Sequence, residues 1–378
     1  MLRIVREFTV GRPQIFAGLM LLAFFAEALW ISASRKISPL EHDYVGSGFT
    51  QRAGQEYRIS SPLTGFVAAL PFKMARRAAG HIVSEQWVVP PPWLARLPFI
   101  IFGVWLGGAL WWVARRLFDD EGGYVALGLY CSSPAMVMIA SDIGPEILLA
   151  WSIFGLIYTA IGVAHTLYGP RRKWLPRIVI LGLSIGFSLA TALWSVSIVL
   201  LALAFMVYLA PGRRKAALLV LFSAFAIGLG VYTFFVAITG APWIPTSSLI
   251  LPQGSLELLR NLKFMFADGY SDANSYLFVL LFIAALATFG SWSRARYFGN
   301  TAPLLTSFAV VLLFALVPGI HIWAATLGLP FVFTFVGGIA ADLLETGSRG
   351  LVVAILAAGF GLRGVLSLLA LSRWIHNP

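Results

Sequence analysis

Glu41 and Asp43 stand two residues apart in Pro39-Leu-Glu-His-Asp-Tyr44, just past the first apolar span of a chain that is mostly hydrophobic. Two carboxylates at the mouth of a helical bundle can take a proton from an acceptor, hold a cation or steady a leaving group. On an extended loop, residues i and i+2 point to one side, which suits two groups sharing one substrate. His42 would then point away, which disfavours a Glu-His-Asp metal cluster. The plain alternative is a solvated loop with an acidic helix cap. A second acid couple, Asp142 and Glu146, is spaced i and i+4, so that on a helix the two share a face. Acids near a helix start also favour the dipole without any further role.

Two ionisable residues fall within apolar stretches, Glu27 in the first and Arg363 in the last. Such groups are costly in hydrocarbon and default to functional candidates with partners inside the bundle. Arg363 could meet a phosphate through its guanidinium fork, although snorkelling toward the outer interface is the better account of it. His321, in Pro318-Gly-Ile-His-Ile-Trp323, is either a leaving-group stabiliser or a membrane-boundary residue. Arg58 and Tyr270 lie in the two polar loops described below and are candidates for substrate contact.

The elements that must hold these groups are membrane helices. Hydrophobic residues make up 59% of the 378 and charged residues 11%, against about 25% charged in a soluble domain, and the mean hydropathy is +0.85. A soluble globule is excluded. The expected class is all-α and polytopic, a single domain over residues 1–378. About eleven transmembrane helices are expected near 13–33, 97–117, 123–140, 146–167, 177–191, 193–210, 216–239, 276–292, 302–318, 323–343 and 351–371. The fifth and sixth meet at Ala190–Trp194 without a polar loop, as a bent hairpin would. Two longer extracytoplasmic loops follow from this layout, 34–96 with the acidic motif and 243–275 with Tyr270. Pro62–Phe72 in the first loop is apolar but too short to cross, so it is expected to lie in the interface.

The net charge of +11 resides in short clusters between spans, such as Arg115-Arg116, Arg171-Arg172-Lys173 and Arg213-Arg214-Lys215. These are topology signals and anionic-lipid contacts rather than a nucleic-acid footprint. They predict a cytoplasmic N-terminus and an extracytoplasmic C-terminus in a plasma membrane of bacterial type. Cys131 is the one cysteine, which leaves no internal disulfide and no thiolate metal site.

A further pattern runs through the first half. An acid pair follows the first span, then come Ser61-Pro62-Leu63, Arg96-Leu-Pro98 opening a helix that ends in Ala114-Arg-Arg-Leu-Phe118, then Ser133-Pro134 and Pro145-Glu146. This order resembles the GT-C glycosyltransferases, with the protein O-mannosyltransferase and aminoarabinose transferase branch nearest. The resemblance implies a GT-C-like bundle with interfacial helices in the first outer loop. It implies transfer of a sugar from a polyprenyl-phosphate carrier to an extracytoplasmic protein, lipid or glycan, with inversion. It matches Asp43 to the catalytic acid, with Glu41 orienting the acceptor or tuning Asp43, and Glu146 to an acidic residue that contacts the acceptor or completes a divalent-cation site with Asp43. Asp142, Arg58, His321, Arg363 and Tyr270 are then substrate-binding candidates. This chain departs from the pattern at the fifth-span bend, where relatives carry a Lys and Thr191–Trp194 stand here, and no soluble C-terminal domain is expected. A non-catalytic accessory subunit of a membrane assembly is the alternative reading. A transporter is a weaker one, because inverted repeats are not evident.

Overall fold

The computed structural model describes residues 12–49, 61–78, 90–170, 174–243, 273–291, 297–315, 326–346 and 349–376. These residues form helices and no strand. In chain order they are α1 (Arg12–Ser34), α2 (Pro39–Ser47), α3 (Pro62–Ala78), α4 (Pro92–Cys131), α5 (Pro134–Ala140), α6 (Pro145–Thr166) and α7 (Trp174–Thr191). After these come α8 (Val196–Leu209), α9 (Arg214–Thr239), α10 (Ala273–Ser291), α11 (Tyr297–Ala315), α12 (Leu329–Thr346) and α13 (Arg349–His376). Among the described residues seven helices are long and apolar enough to cross a membrane, not the eleven expected. Part of the difference is α4, whose forty residues are two arms folded back at Phe118 and Asp119, where the dihedrals leave the helical region and Asp119 takes φ 66°. The Tyr130 hydroxyl donates to the Gly103 carbonyl across these arms at 2.6 Å, so they run antiparallel. The fold-back matches the expected break between 117 and 123. Val196–Leu209 and Val279–Ser291 are apolar but shorter than a full crossing.

The core is built from α4, α6, α7, α9 and α12, with Phe99, Phe118, Tyr130, Phe154, Phe331, Phe333 and Phe335 completely enclosed. Where α7 meets α9 the side chains shrink to let the backbones close. A Cβ on Gly182 or Gly186 would approach Ile227 or Val231 to 2.7 or 2.5 Å, and one on Gly228 would meet Ile185 at 2.6 Å. Apolar surface gives no driving force between helices in lipid, so such close small-residue packing is what holds them together. At the expected bend a short 3-10 turn, Leu193–Ser195, separates α7 from α8.

The Pro62–Phe72 segment is the first part of α3, which packs one face against α2, α4, α7 and α9, with Leu63, Val67, Ala68, Ala69 and Phe72 buried and Leu70 and Met74 exposed. Its contact with α2 is backbone to backbone: a Cβ on Gly48 would collide with the Gly65 carbonyl. The Lys73 ammonium, donating to the Gly48 carbonyl at 2.9 Å, fastens the same junction.

Candidate functional site

The acid pair lies on a helix, not on an extended strand. Ser38 caps α2, Pro39 opens it, and Glu41 closes a capping box: the Ser38 amide donates to Glu41 Oε2 at 2.7 Å and the Glu41 amide donates to Ser38 Oγ at 3.2 Å. Proline at the first helical position and Ser-x-x-Glu spacing dictate this start. Two residues along a helix turn the direction by about 200°, so Glu41 and Asp43 face apart. The same-side expectation fails for that reason. Glu41 is 4% exposed, whereas Asp43 and His42 are exposed.

What Glu41 meets is Arg96, near the start of α4, which has no exposed surface at all. Arg96 Nε donates to Glu41 Oε1 and Nη2 to Oε2, each at 2.7 Å, the two-pronged fit of guanidinium to carboxylate. The remaining Arg96 donors reach the Ser32 and Arg35 carbonyls at 2.9 Å and the Lys36 carbonyl at 2.8 Å. A guanidinium has five N–H donors, and each of these has an acceptor. The Ile143 amide adds a 3.0 Å bond to Glu41 Oε1. One ion pair thus caps the chain leaving α1, starts α2, fixes the head of α4 and holds the turn between α5 and α6. Burial alone would raise the Glu41 carboxyl, but the Arg96 hydrogen bonds and charge, with the Ser38 and Ile143 amides, hold it below its ordinary value. A saturated, ionised and enclosed carboxylate is neither a base nor a contact for an acceptor. The expectation for Glu41 is corrected to that of the group that positions α2.

Asp142 and Glu146 do not share one helix either. Asp142 sits in the turn before α6, whose N-cap is Gly144, and only Glu146 lies in the first helical turn. The Glu146 carboxylate folds back over Gly144, and a Cβ there would strike its Oε2. Asp142 accepts from Arg35 Nη1 at 2.7 Å. The Arg35 guanidinium also lies 3.6 Å over the Trp374 ring at the end of α13. Burial pushes the Asp142 carboxyl up to about 6, against the pull of Arg35. Tyr44, next to Asp43, is buried, and burial together with the Glu146 charge raises its phenol above the ordinary range. The structure therefore gathers α2, Asp142 and Glu146 around one mouth.

Arg363 is 3% exposed. Its side chain turns into the bundle, with Nε donating to the Ser132 carbonyl at 3.4 Å and the guanidinium 5.9 Å from the Phe333 ring. Snorkelling toward the interface does not describe it. Arg58, Tyr270 and His321 lie outside the described residues, as does most of the 243–275 loop. Among the described residues no three His, Cys, Asp or Glu come together as metal ligands. At the bend between α7 and α8, the Thr191 carbonyl accepts from Ser61 Oγ at 2.7 Å. Arg35 and Arg96 are the residues that sequence reasoning passed over as site components. The available signal was position: each is a charge set directly against an apolar span.

The chain is a multi-pass membrane protein with the GT-C fold, the fold of membrane glycosyltransferases. Residues 90–241 match the family model described as dolichyl-phosphate-mannose-protein mannosyltransferase. Among solved structures it is similar to ArnT from Cupriavidus metallidurans bound to undecaprenyl phosphate, with TM-score 0.63 and 15% identity, covering 91% of this chain and 63% of that one. It is also similar to the archaeal oligosaccharyltransferase AglB from Archaeoglobus fulgidus in complex with an inhibitory peptide and a dolichol-phosphate, with TM-score 0.57 and 13% identity, covering 95% and 56%. The chain spans less than two thirds of either structure's length. No curated protein matches it in sequence.

Proposed function

We propose that the chain transfers a sugar from a polyprenyl-phosphate carrier to an extracytoplasmic acceptor, with inversion and with Asp43 as general base. The observation that carries this reading is the contrast within α2: Glu41 is locked into the fold while Asp43, two residues on, is left exposed on a helix anchored by the Glu41–Arg96 pair. A base needs reach, and it needs a rigid support. Asp43 takes the proton of the acceptor hydroxyl or amine as that oxygen or nitrogen bonds to the anomeric carbon. The bond from that carbon to the phosphate oxygen breaks on the opposite face, and its electron pair leaves with the carrier phosphate. Asp142 and Glu146 bind the acceptor at the same mouth. Arg58, Tyr270 and His321 are assigned to the donor, and Arg363 to packing.

The likeness in fold to structures solved with undecaprenyl phosphate or a dolichol-phosphate supports a lipid-phosphate donor. The accessory-subunit reading rests on one observation, the Ser61 hydroxyl closing the bend that lacks a Lys. Transfer from a panel of radiolabelled polyprenyl-phosphate sugars into membranes holding the wild-type chain or Asp43→Asn separates the two. Label with wild type alone supports the transferase. Label from both removes Asp43 as the base, and label from neither across the panel favours the accessory subunit.

A further inference from the structure

A second polar locus lies away from the acid mouth. Between α1, the second arm of α4 and α13 there is a cleft of about 510 Å³ with a mostly apolar lining, in which Glu27, Tyr124, Cys131, Ser132 and Ser367 are the polar and thiol groups. Ser132 Oγ is satisfied by the Gly128 carbonyl at 2.7 Å. Glu27 has no hydrogen bond or ion pair among the described residues. Arg363, one turn before Ser367, is engaged with the Ser132 carbonyl and the Phe333 ring. Ser367 Oγ, in a residue 1% exposed, also has no hydrogen-bond partner. Among the described residues, a carboxylate and a hydroxyl in the same intramembrane cleft thus both lack a donor.

The walls are suited to a close approach. Ala23, Gly128 and Gly364 line the cleft, and a Cβ on Gly364 would meet nothing within 4 Å. The helices on either side carry exposed leucines, Leu19 and Leu22 on α1 and Leu362 and Leu369 on α13. Depth decides between a lipid headgroup and a protein helix. Glu27 is seven residues inside the Ser34 end of α1, about 10 Å along the axis, and Ser367 is seven residues inside Trp374, the interfacial ring stacked on Arg35. A headgroup amine would have to drop well into hydrocarbon to reach either. A side chain on a membrane-spanning helix is already there.

We propose that this cleft is a lateral docking site for one transmembrane helix of a partner membrane protein, whose basic side chain pairs with Glu27 and hydrogen-bonds Ser367. An intramembrane acid meeting an intramembrane base supplies strength and selects the partner, because each charge is costly alone. Small residues at the contact then let the two backbones pack. The site is separate from Asp43 and stands whether or not the chain transfers sugar.

The test uses the full chain in phosphatidylcholine vesicles with a fluorescent 22-residue Leu/Ala transmembrane peptide. The peptide carries either Lys or Met seven residues from the end matching Ser34, and energy transfer reports association. The Lys peptide is expected to bind wild type at least tenfold more tightly than the Met peptide, and Glu27→Gln is expected to erase that preference. Gly364→Leu, which fills the cleft, is expected to weaken both peptides, and Asp43→Asn is expected to change neither. Equal binding of the two peptides to wild type, or a preference that survives Glu27→Gln, overturns the proposal. Displacement of the Lys peptide when phosphatidylethanolamine replaces a third of the lipid overturns it too, by assigning the cleft to an amine headgroup.

Discussion

At the residue scale the outer face turns on the division of labour within four residues of α2. Glu41 and Arg96 exchange two short hydrogen bonds in an enclosed setting, and removing one partner of a buried pair leaves an uncompensated charge, at a cost of ~3–5 kcal/mol. Arg96→Ala and Glu41→Ala are each expected to lower the thermal midpoint in detergent sharply, and the double variant to cost less than the sum of the two. A double-mutant cycle on the midpoints checks this. The pH dependence has two opposite contributions. Glu41, held below its ordinary carboxylate value, stabilises the fold above that value, and this is lost as pH falls through its folded pKa. Asp142 is raised from 3.8 to about 6, so the folded chain holds a proton there that the unfolded chain has released. Stability from this group therefore falls as pH rises from about 4 to about 6 and is level above. Difference infrared spectra against Asp142→Asn are expected to show its carboxyl ionising near pH 6, and the variant to flatten that part of the stability profile.

At the element scale, the sequence made helices legible through long apolar runs and proline starts, since Pro39, Pro62, Pro92, Pro134 and Pro145 each open a helix. The fold-back after Phe118 was legible too, because Asp119-Asp120-Glu121 interrupts the apolar pattern. Which way Glu41 and Asp43 face was not. An extended chain and a helix give the same residues opposite geometries, and the Ser38-x-x-Glu41 capping box that settles the matter is a local signal weighed only as a generic cap. Nor did periodicity show that Arg96 would meet Glu41, a contact across 55 positions that only packing creates. The Gly182-x-x-x-Gly186 spacing was an available signal for the α7–α9 contact. Gly186→Leu is expected to force Val231 and the Gly228 backbone away and to lower the thermal midpoint, whereas Gly230→Ala, with open space at its Cβ, is expected to leave it near wild type.

At the scale of the whole molecule, the bundle presents one mouth built from α2 and the turn before α6, and a basic turn at Pro211–Arg213 between α8 and α9. From the charge pattern we propose that this turn is cytoplasmic and the mouth outside. Cysteines introduced at His42 and at Gly212, both exposed, are expected to differ: an impermeant maleimide added to intact cells labels the first and spares the second until the membrane is opened. The reverse pattern would turn the molecule over and set the mouth on the cytoplasmic face. The likeness to ArnT and AglB covers nearly all of this chain but only 63% and 56% of theirs, so the bundle is the shared part, and its chemistry must be argued from the mouth itself.

The most direct measurement is the initial rate of sugar transfer by purified Asp43→Asn beside its thermal midpoint, with wild type as reference. General-base catalysis is worth roughly 10²–10⁴-fold, so the account predicts a rate loss of about that size with the midpoint unchanged, because Asp43 is exposed and the Glu41–Arg96 pair that anchors α2 is intact. A variant that keeps the wild-type rate while remaining folded would contradict it.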